Sequence, residues 1–336
     1  MTNPIYECVI NKNTTSKPIW FMRQAGRYLP EFMEIRKKNP NFINLCLNSD
    51  KVKDITLQPI KRFDLDAAII FSDIMMIPYG LGQKIEFIKG IGPNLGNINI
   101  NDLDNINSEY FTKKLSPVYE GIKKVKLKLK NKSLIGFVGA PWTLLLYMLN
   151  KESPKRSFDF NKINKDKVLV NRLLKKIEEM TFLHIDKQIE AGANIIQIFD
   201  SWAGLVPEKE LSNYCYIPIS KIVKHVRSKK IPVICFPKGI GKNYIKFCEV
   251  VKPDCISIDY EIDPEWIKEK LNGLPIQGGL DPKVLLGDKE QVKKNTIKYL
   301  NIFKDYPYVF NLGHGVLPET KPEIVEYLIK IIRDNT

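Results

Sequence analysis

The sequence is poor in the residues from which metal centres are built. Its three histidines, His184, His225 and His314, stand far apart, and no H-x-x-x-H or H-x-C grouping occurs. A zinc site of compact spacing is therefore not expected, and no metal is assigned. The six cysteines, Cys8, Cys46, Cys215, Cys235, Cys248 and Cys255, include no C-x-x-C pair, and several sit in apolar segments. They read as buried, reduced thiols of a cytoplasmic protein. No apolar run approaches the roughly 18 residues that a membrane-spanning helix needs, so no membrane partner is expected. The first residues, MTNPIYECVINKNTTSK, lack a basic start followed by an apolar stretch, and a secretory leader is not expected. Also missing are a G-x-G-x-x-G after the first strand and any G-x-x-x-x-G-K-[ST], the usual signatures of dinucleotide and nucleotide triphosphate binding. No fixed-period repeat and no low-complexity linker divides the chain. Its 336 residues read as one domain, with residues 1–15 loosely held.

Acidic charge is in deficit. Lys and Arg number 52 against 38 Asp and Glu, a formal net charge of +14. The surplus is mostly lysine dispersed through helical stretches such as GIKKVKLKLKNK, which is the pattern of a solvated surface. It is compatible with an anionic small-molecule substrate. A nucleic-acid partner is not expected, because that would call for a clustered basic stripe.

What the chain does have is a recurring type of segment. Short β-prone runs end in glycine or polar residues, and longer helical patterns follow. The runs are PIWFM (18–22), AAIIF (67–71), LIGFV (134–138), NIIQIF (194–199), IPVICF (231–236), CISID (255–259), LPIQGG (274–279) and YVFNL (308–312). Helical patterns cover 50–62, 111–130, 166–191, 208–228, 240–251, 263–271, 289–304 and 322–333, and a hairpin-like loop is expected over 79–97. Eight apolar strands alternating with helices predict a parallel sheet covered on both faces, and the count favours a closed α/β (β/α)8 barrel over an open sheet.

A barrel builds its site from the loops that leave the C-terminal ends of its strands. Those exits carry Arg23, Gln24 and Arg27, then Asp73, then Trp142 and Tyr147, then Asp200, Ser201 and Trp202, then PKG, DYE, GGLDP, and finally NLGHG with His314. Each has a plain alternative. Arg23 and Arg27 suit carboxylates, since guanidinium forks bind them in bidentate geometry, but they could be paired surface charges. Asp73 could cap the next helix or accept hydrogen bonds from ligand N–H groups. Tyr147 could be core, Ser201 a turn former, and His314 a partner for a buried carbonyl. A paired-carboxylate reaction would need Asp73 and Asp200 at a fixed separation, which spacing alone does not supply.

Six blocks go further. WFMRQAGRYLPEF, IIFSDI with PYGLG behind it, GFVGAPWTLLLYM, IIQIFDSWAG, QGGLDP and NLGHGVLPET, in that order from about residue 18 to 322, resemble the uroporphyrinogen decarboxylase family. The resemblance implies a (β/α)8 barrel, usually a homodimer. It implies removal of CO2 from the four acetate side chains of uroporphyrinogen III, giving coproporphyrinogen III with no cofactor. Carried onto this chain, it implies Asp73, Arg27 and Tyr147 as catalytic residues. It implies Arg23, Gln24, Arg27, Asp73, Phe137, Tyr147, Ser201 and His314 as substrate-binding residues, Phe137 as an apolar lining. Asp73 would accept the inward-pointing pyrrole N–H groups, and the proton donor stays open, with Arg27 a candidate relay. Two other readings share the barrel: a methyltransferase of the corrinoid or methionine-synthase type, and a tetrapyrrole-binding protein without catalysis.

Overall fold

The protein is described here from a computed structural model, which covers residues 3–88, 90–98, 103, 105–154 and 157–336. Nine strands occur among these residues. Seven of them, β1 (Ala67–Ile69), β4 (Ser133–Gly139), β5 (Ile195–Asp200), β6 (Val233–Pro237), β7 (Cys255–Ile258), β8 (Ile276–Gly278) and β9 (Tyr308–Val309), form one all-parallel sheet in chain order. The other two, β2 (Ile85–Ile88) and β3 (Gly92–Leu95), pair as an antiparallel hairpin within the expected loop.

The remaining expected strand, 18–22, is reduced to a parallel bridge between Ile19 and Phe310. It nevertheless joins the two edges of the sheet. Phe310 N donates to Pro18 O on one side (2.8 Å), and Asp66 N donates to Ile19 O on the other (2.9 Å). The Asp66 carboxylate accepts from Ile19 N (2.7 Å) and from Arg333 Nη2 (2.8 Å), clipping this closure to the C-terminal helix. The ladder is short for a reason visible in the chain: Pro18 has no N–H, and the backbone turns sharply at Arg23.

Period-2 alternation explains how the sheet is filled. Trp20, Met22, Ala67, Ile135, Ile195, Ile234, Phe236, Cys255 and Val309 point inward. Their neighbours Ile19, Phe21, Ala68, Leu134, Ile196, Cys235, Ile256 and Tyr308 point outward against the helices. Part of the inner column is polar and self-satisfied. Trp20 Nε1 donates to Gln277 Oε1 (2.8 Å), and Gln277 Nε2 donates to Gln197 Oε1 and Ser257 Oγ (both 3.2 Å). Within the described part of the segment expected to be loosely held, residues 3–15, lies a helix, Pro4–Val9, whose Ile5, Cys8 and Val9 are buried within the inner cluster. An apolar i, i+3, i+4 stripe gains more from burial than a solvated terminus does.

The outer helices fall where the periodicity predicts, with Ser49–Arg62, Ser108–Lys126, Lys167–Glu190, Pro264–Leu271, Lys289–Ile302 and Pro322–Asp334. The helix expected over 208–228 is interrupted: a 3-10 turn (Glu208–Glu210) and a π turn (Ser212–Tyr216) precede an α-helix, Ile217–Ser228. Pro218 has no N–H to give to the preceding turn, which loosens the ladder there. All six cysteines are free, five of them buried and Cys248 half-buried.

Candidate active site at the C-terminal mouth of the barrel

The segment after the first strand is a compact turn, not a helix. Gln24 N donates to Phe21 O (3.0 Å), and Leu29 N donates to Gly26 O (3.0 Å). Arg23 sits in the left-handed region at φ 62°, a conformation that a residue with a Cβ adopts reluctantly. Gly26 is required there, because a Cβ on it would meet Arg23 O at 2.8 Å. This geometry throws Arg23 and Arg27 out of the core on one short segment.

Gln24, expected to bind substrate, has its side-chain amide committed to the backbone. It is completely buried, its Oε1 accepts from Phe21 N (3.1 Å), and its Nε2 donates to Ala67 O on β1 (3.0 Å). Its own carbonyl accepts from Tyr28 OH (2.8 Å). Gln24 is thus a strut that fixes the arginine turn to the barrel wall, and both ends of its amide are occupied by backbone.

Asp73 follows β1. Its Oδ1 accepts from Met75 N (2.9 Å) in a tight turn before the short helix Met76–Gly80, which has no side-chain cap, and its other oxygen has no protein donor among the described residues. The expected helix-capping role is therefore not what this carboxylate does. Burial pushes its carboxyl up to about 6, against the opposing pull of the Met75 N–H and the Arg23 guanidinium. Arg23 is shifted the other way, downward: desolvation dominates, with Arg27 adding like charge and Asp73 opposing. Arg23 is exposed to solvent yet closely surrounded by protein. Among the described residues neither Arg23 nor Arg27 forms an ion pair closer than 4 Å.

The opposite wall is aromatic. Ring pairs run from Phe137 on β4 to Phe199 on β5 (5.6 Å between centroids), on to Phe236 on β6 (6.3 Å) and to His314 (6.5 Å). Phe199 stands on the inner face of β5, and alternation puts Ser201 one rung above it, half-buried at the mouth. The Ser201–Trp202 turn is pinned from behind: Thr143 Oγ1 donates to Asp200 Oδ1 (2.6 Å) and accepts from Trp202 N (3.2 Å). Asp200 itself is fully buried, and burial lifts its carboxyl to about 6. It faces Thr143 and Cys215, so it does not form a reacting pair with Asp73 across the mouth. Tyr147, on the helix Pro141–Asn150, lies 6.3 Å from the Trp202 ring, and its hydroxyl is 3.3 Å from Ser153 Oγ. The β2–β3 hairpin is tied to the end of the same helix by Leu95 N donating to Lys151 O (2.6 Å).

His314 is half-buried between Gly313 and Gly315. Burial first, and then the charges of Arg23 and Lys238, hold its imidazole down to about 3, so it is neutral at physiological pH. The other histidines are elsewhere: His184 is a core residue facing Tyr119 OH (2.9 Å), and His225 pairs with Asp186 (2.8 Å) on the outer layer. Among the described residues no group of three or more His, Cys, Asp or Glu is gathered to hold a metal ion, and no helix is long and apolar enough to cross a membrane.

The site residues missed by sequence reading are Phe199, Phe236, Gly315 and Lys238. The PKG exit after β6 was the available signal for Lys238. The strand exits thus carry Arg23 acting on Asp73, Arg27 acting on Arg23 and Lys238 acting on a neutral His314, with a row of aromatic rings alongside.

Comparison with known proteins agrees with this chemistry. The family model described as Uroporphyrinogen decarboxylase (URO-D) matches residues 3–335. A protein of Rickettsia bellii (strain RML369-C) named uroporphyrinogen decarboxylase is 46% identical over 330 residues, covering 97% of this chain and 97% of its own. One of the same name from Rickettsia conorii (strain ATCC VR-613 / Malish 7) is 44% identical over 329 residues, covering 96% and 94%. Among solved structures, a methyltransferase from Methanosarcina mazei superposes with a TM-score of 0.80 at 16% identity, covering 98% and 97%, a likeness of fold alone. The barrel, the Arg23–Asp73 pair of charges at its strand exits, and a family match along nearly the whole sequence lead to one conclusion: the chain belongs to the uroporphyrinogen decarboxylase family.

Proposed function

We propose that the protein removes CO2 from the four acetate side chains of uroporphyrinogen III, yielding coproporphyrinogen III for tetrapyrrole synthesis. The observation that carries this reading is the charge pattern of the strand exits: Arg23 acts on Asp73, Arg27 acts on Arg23 and Lys238 acts on His314, none of these cations in an ion pair among the described residues, while the second Asp73 oxygen has no protein donor among them. A substrate with eight carboxylates and four inward-pointing pyrrole N–H donors is the complement of that pattern.

In this reading the Asp73 carboxylate accepts pyrrole N–H bonds at the centre of the domed macrocycle. A proton adds to the pyrrole carbon next to the one that bears the acetate, and positive charge spreads over that ring. Asp73 stabilises the charge in a setting with little water, where a fixed carboxylate acts strongly. The bond to the carboxylate carbon then breaks, its electron pair forms an exocyclic double bond, and CO2 departs. A second proton adds to the exocyclic carbon to make the methyl group, and the first proton leaves the ring. The balance is one proton consumed and one CO2 released for each acetate. The protonated pyrrole is the electron sink, the part that a cofactor plays in other decarboxylations. Arg23 and Arg27 hold carboxylates, and Arg27 is the candidate proton relay. Tyr147, Ser201 and neutral His314 donate hydrogen bonds to other acetates or propionates, and Phe137 lines the apolar face.

The family resemblance also supports a homodimer in the cytoplasm with no nucleic-acid partner; light scattering on a sizing column reads the dimer directly. The activity is tested by anaerobic incubation of metal-free protein with uroporphyrinogen III, followed by oxidation and chromatography by carboxylate number. Stepwise passage from eight carboxylates to four is expected. Unchanged substrate from folded protein, with a control enzyme active alongside, would sink the reading.

A further inference from the structure

Resting on the decarboxylase reading, we infer that Lys238 is a third carboxylate-binding cation of the active site, serving substrate side chains on the His314 side of the mouth. Strand alternation gives its direction. Ile234 and Phe236 face the barrel interior and Cys235 faces out, so the next inward position on this strand is 238. Lys238 N donates to Asp200 O (3.1 Å), continuing the β5–β6 ladder one step past Pro237 and keeping that alternation in force.

The backbone at this point is clamped. Gly204 N donates to Lys238 O (2.9 Å), and Gly239 N donates to Asp259 Oδ2 (2.7 Å), which also accepts from Tyr244 OH (3.0 Å). A Cβ on Gly204 would meet Gly239 O at 2.6 Å, so the two loops touch backbone to backbone. Gly239 takes the left-handed conformation, φ 81°, that lets the chain turn away directly after the lysine. Such a frame fixes where the ammonium is delivered.

The side chain itself is unemployed. Lys17, Lys132 and Lys268, also removed wholly or partly from solvent, each donate Nζ to main-chain carbonyls. Lys238 is half-buried, and among the described residues its Nζ has neither a hydrogen bond nor an ion pair. An ammonium at the rim of the site with no protein partner is free to take a carboxylate ligand. Lys238 lies near His314, which it helps to keep neutral, and the nearby Asp259 carboxylate is engaged by Gly239 N and Tyr244 OH. Neither forms an ion pair with Lys238 among the described residues, and a substrate acetate or propionate can.

The test compares wild type, Lys238→Met and Lys238→Arg. Methionine keeps length and packing without charge, and arginine restores a cation. Two readouts are taken: KM and kcat for uroporphyrinogen III, and fluorescence-monitored affinity for the oxidised eight-carboxylate porphyrin. The expected result is about a tenfold or larger rise in KM and in the porphyrin dissociation constant for K238M, with kcat changed less, and recovery to within about threefold in K238R. The affinity loss should shrink at high salt. Unchanged KM and affinity in folded K238M would overturn the inference. If K238M fails to fold, K238Q takes its place with the same expectations. A wild type that binds the porphyrin without turnover would refute the decarboxylase reading alone, and the affinity comparison would still decide the role of Lys238. A wild type that neither turns over substrate nor binds the porphyrin would overturn both.

Discussion

A Cβ on Gly315 would lie 2.4 Å from Cδ and 2.7 Å from Cγ of Arg23, so the arginine rests on a glycine nearly three hundred residues away in sequence. Gly315 is not in the left-handed region, and its lack of a side chain is needed for space rather than for conformation. Gly315→Ala should therefore push the guanidinium aside and leave the fold intact. The expected loss in kcat/KM is about 10- to 100-fold, the size seen when a positioning group moves by roughly 1 Å. A melting temperature within a few degrees of wild type accompanies it; unchanged kcat/KM would mean that Arg23 has slack.

Asp73 links catalysis to stability. Its carboxyl in the folded chain lies near 6, above the ordinary 3.8, so between those values the native state holds a proton that the unfolded chain has released. Stability therefore falls as pH rises through that window and stays at the lower level above it. Asp73→Asn keeps the bond from Met75 N and removes the buried charge. It should stabilise the protein by roughly 3 kcal/mol at pH 8 and by almost nothing at pH 3.5, read from urea unfolding at the two pH values. The same variant should lose about 10²- to 10³-fold in kcat, the scale of a lost electrostatic stabiliser. Near wild-type turnover would remove Asp73 from the mechanism.

The acid limb of activity follows from the same residue. If the ionised carboxylate must receive the pyrrole N–H groups, kcat/KM measured anaerobically should drop about tenfold per pH unit below about 6. His314, held down to about 3, contributes no limb in the physiological range. A limb near 6.5 that disappears in His314→Asn would contradict this assignment.

Gln24 provides a contrast between a strut and a ligand. Gln24→Ala leaves Phe21 N and Ala67 O unpaired in a fully buried place. Destabilisation of about 2–4 kcal/mol is expected from two orphaned backbone groups, measured by urea unfolding. A variant of unchanged stability with a raised KM would restore Gln24 to the substrate-binding set.

Much of the architecture was legible in the chain. Period-2 apolar runs such as IPVICF and NIIQIF, each followed by a helical pattern, were enough for a parallel barrel, because alternation encodes which face of a strand is buried. The conspicuous MRQAGR segment and the glycines flanking His314 were legible for the same local reason. Less legible was the strand 18–22, which closes the barrel through single bonds at Phe310 and Asp66. The broken helix over 208–228 was readable in principle from Pro218, but a helical period outvoted it.

By itself the sequence determined the barrel, the set of polar residues at the strand exits and the resemblance that joins them. Only the tertiary structure decided what each of those residues does. It turned Gln24 inward against Ala67, set Asp200 behind β5 against Thr143, and brought Lys238 beside His314. The physical reason is one of range. Burial pattern and turn chemistry are carried by neighbours a few residues apart. Charge state and hydrogen-bond vacancy depend on groups brought together from opposite ends of the chain, as with Asp73 and Arg23, or His314 and Lys238.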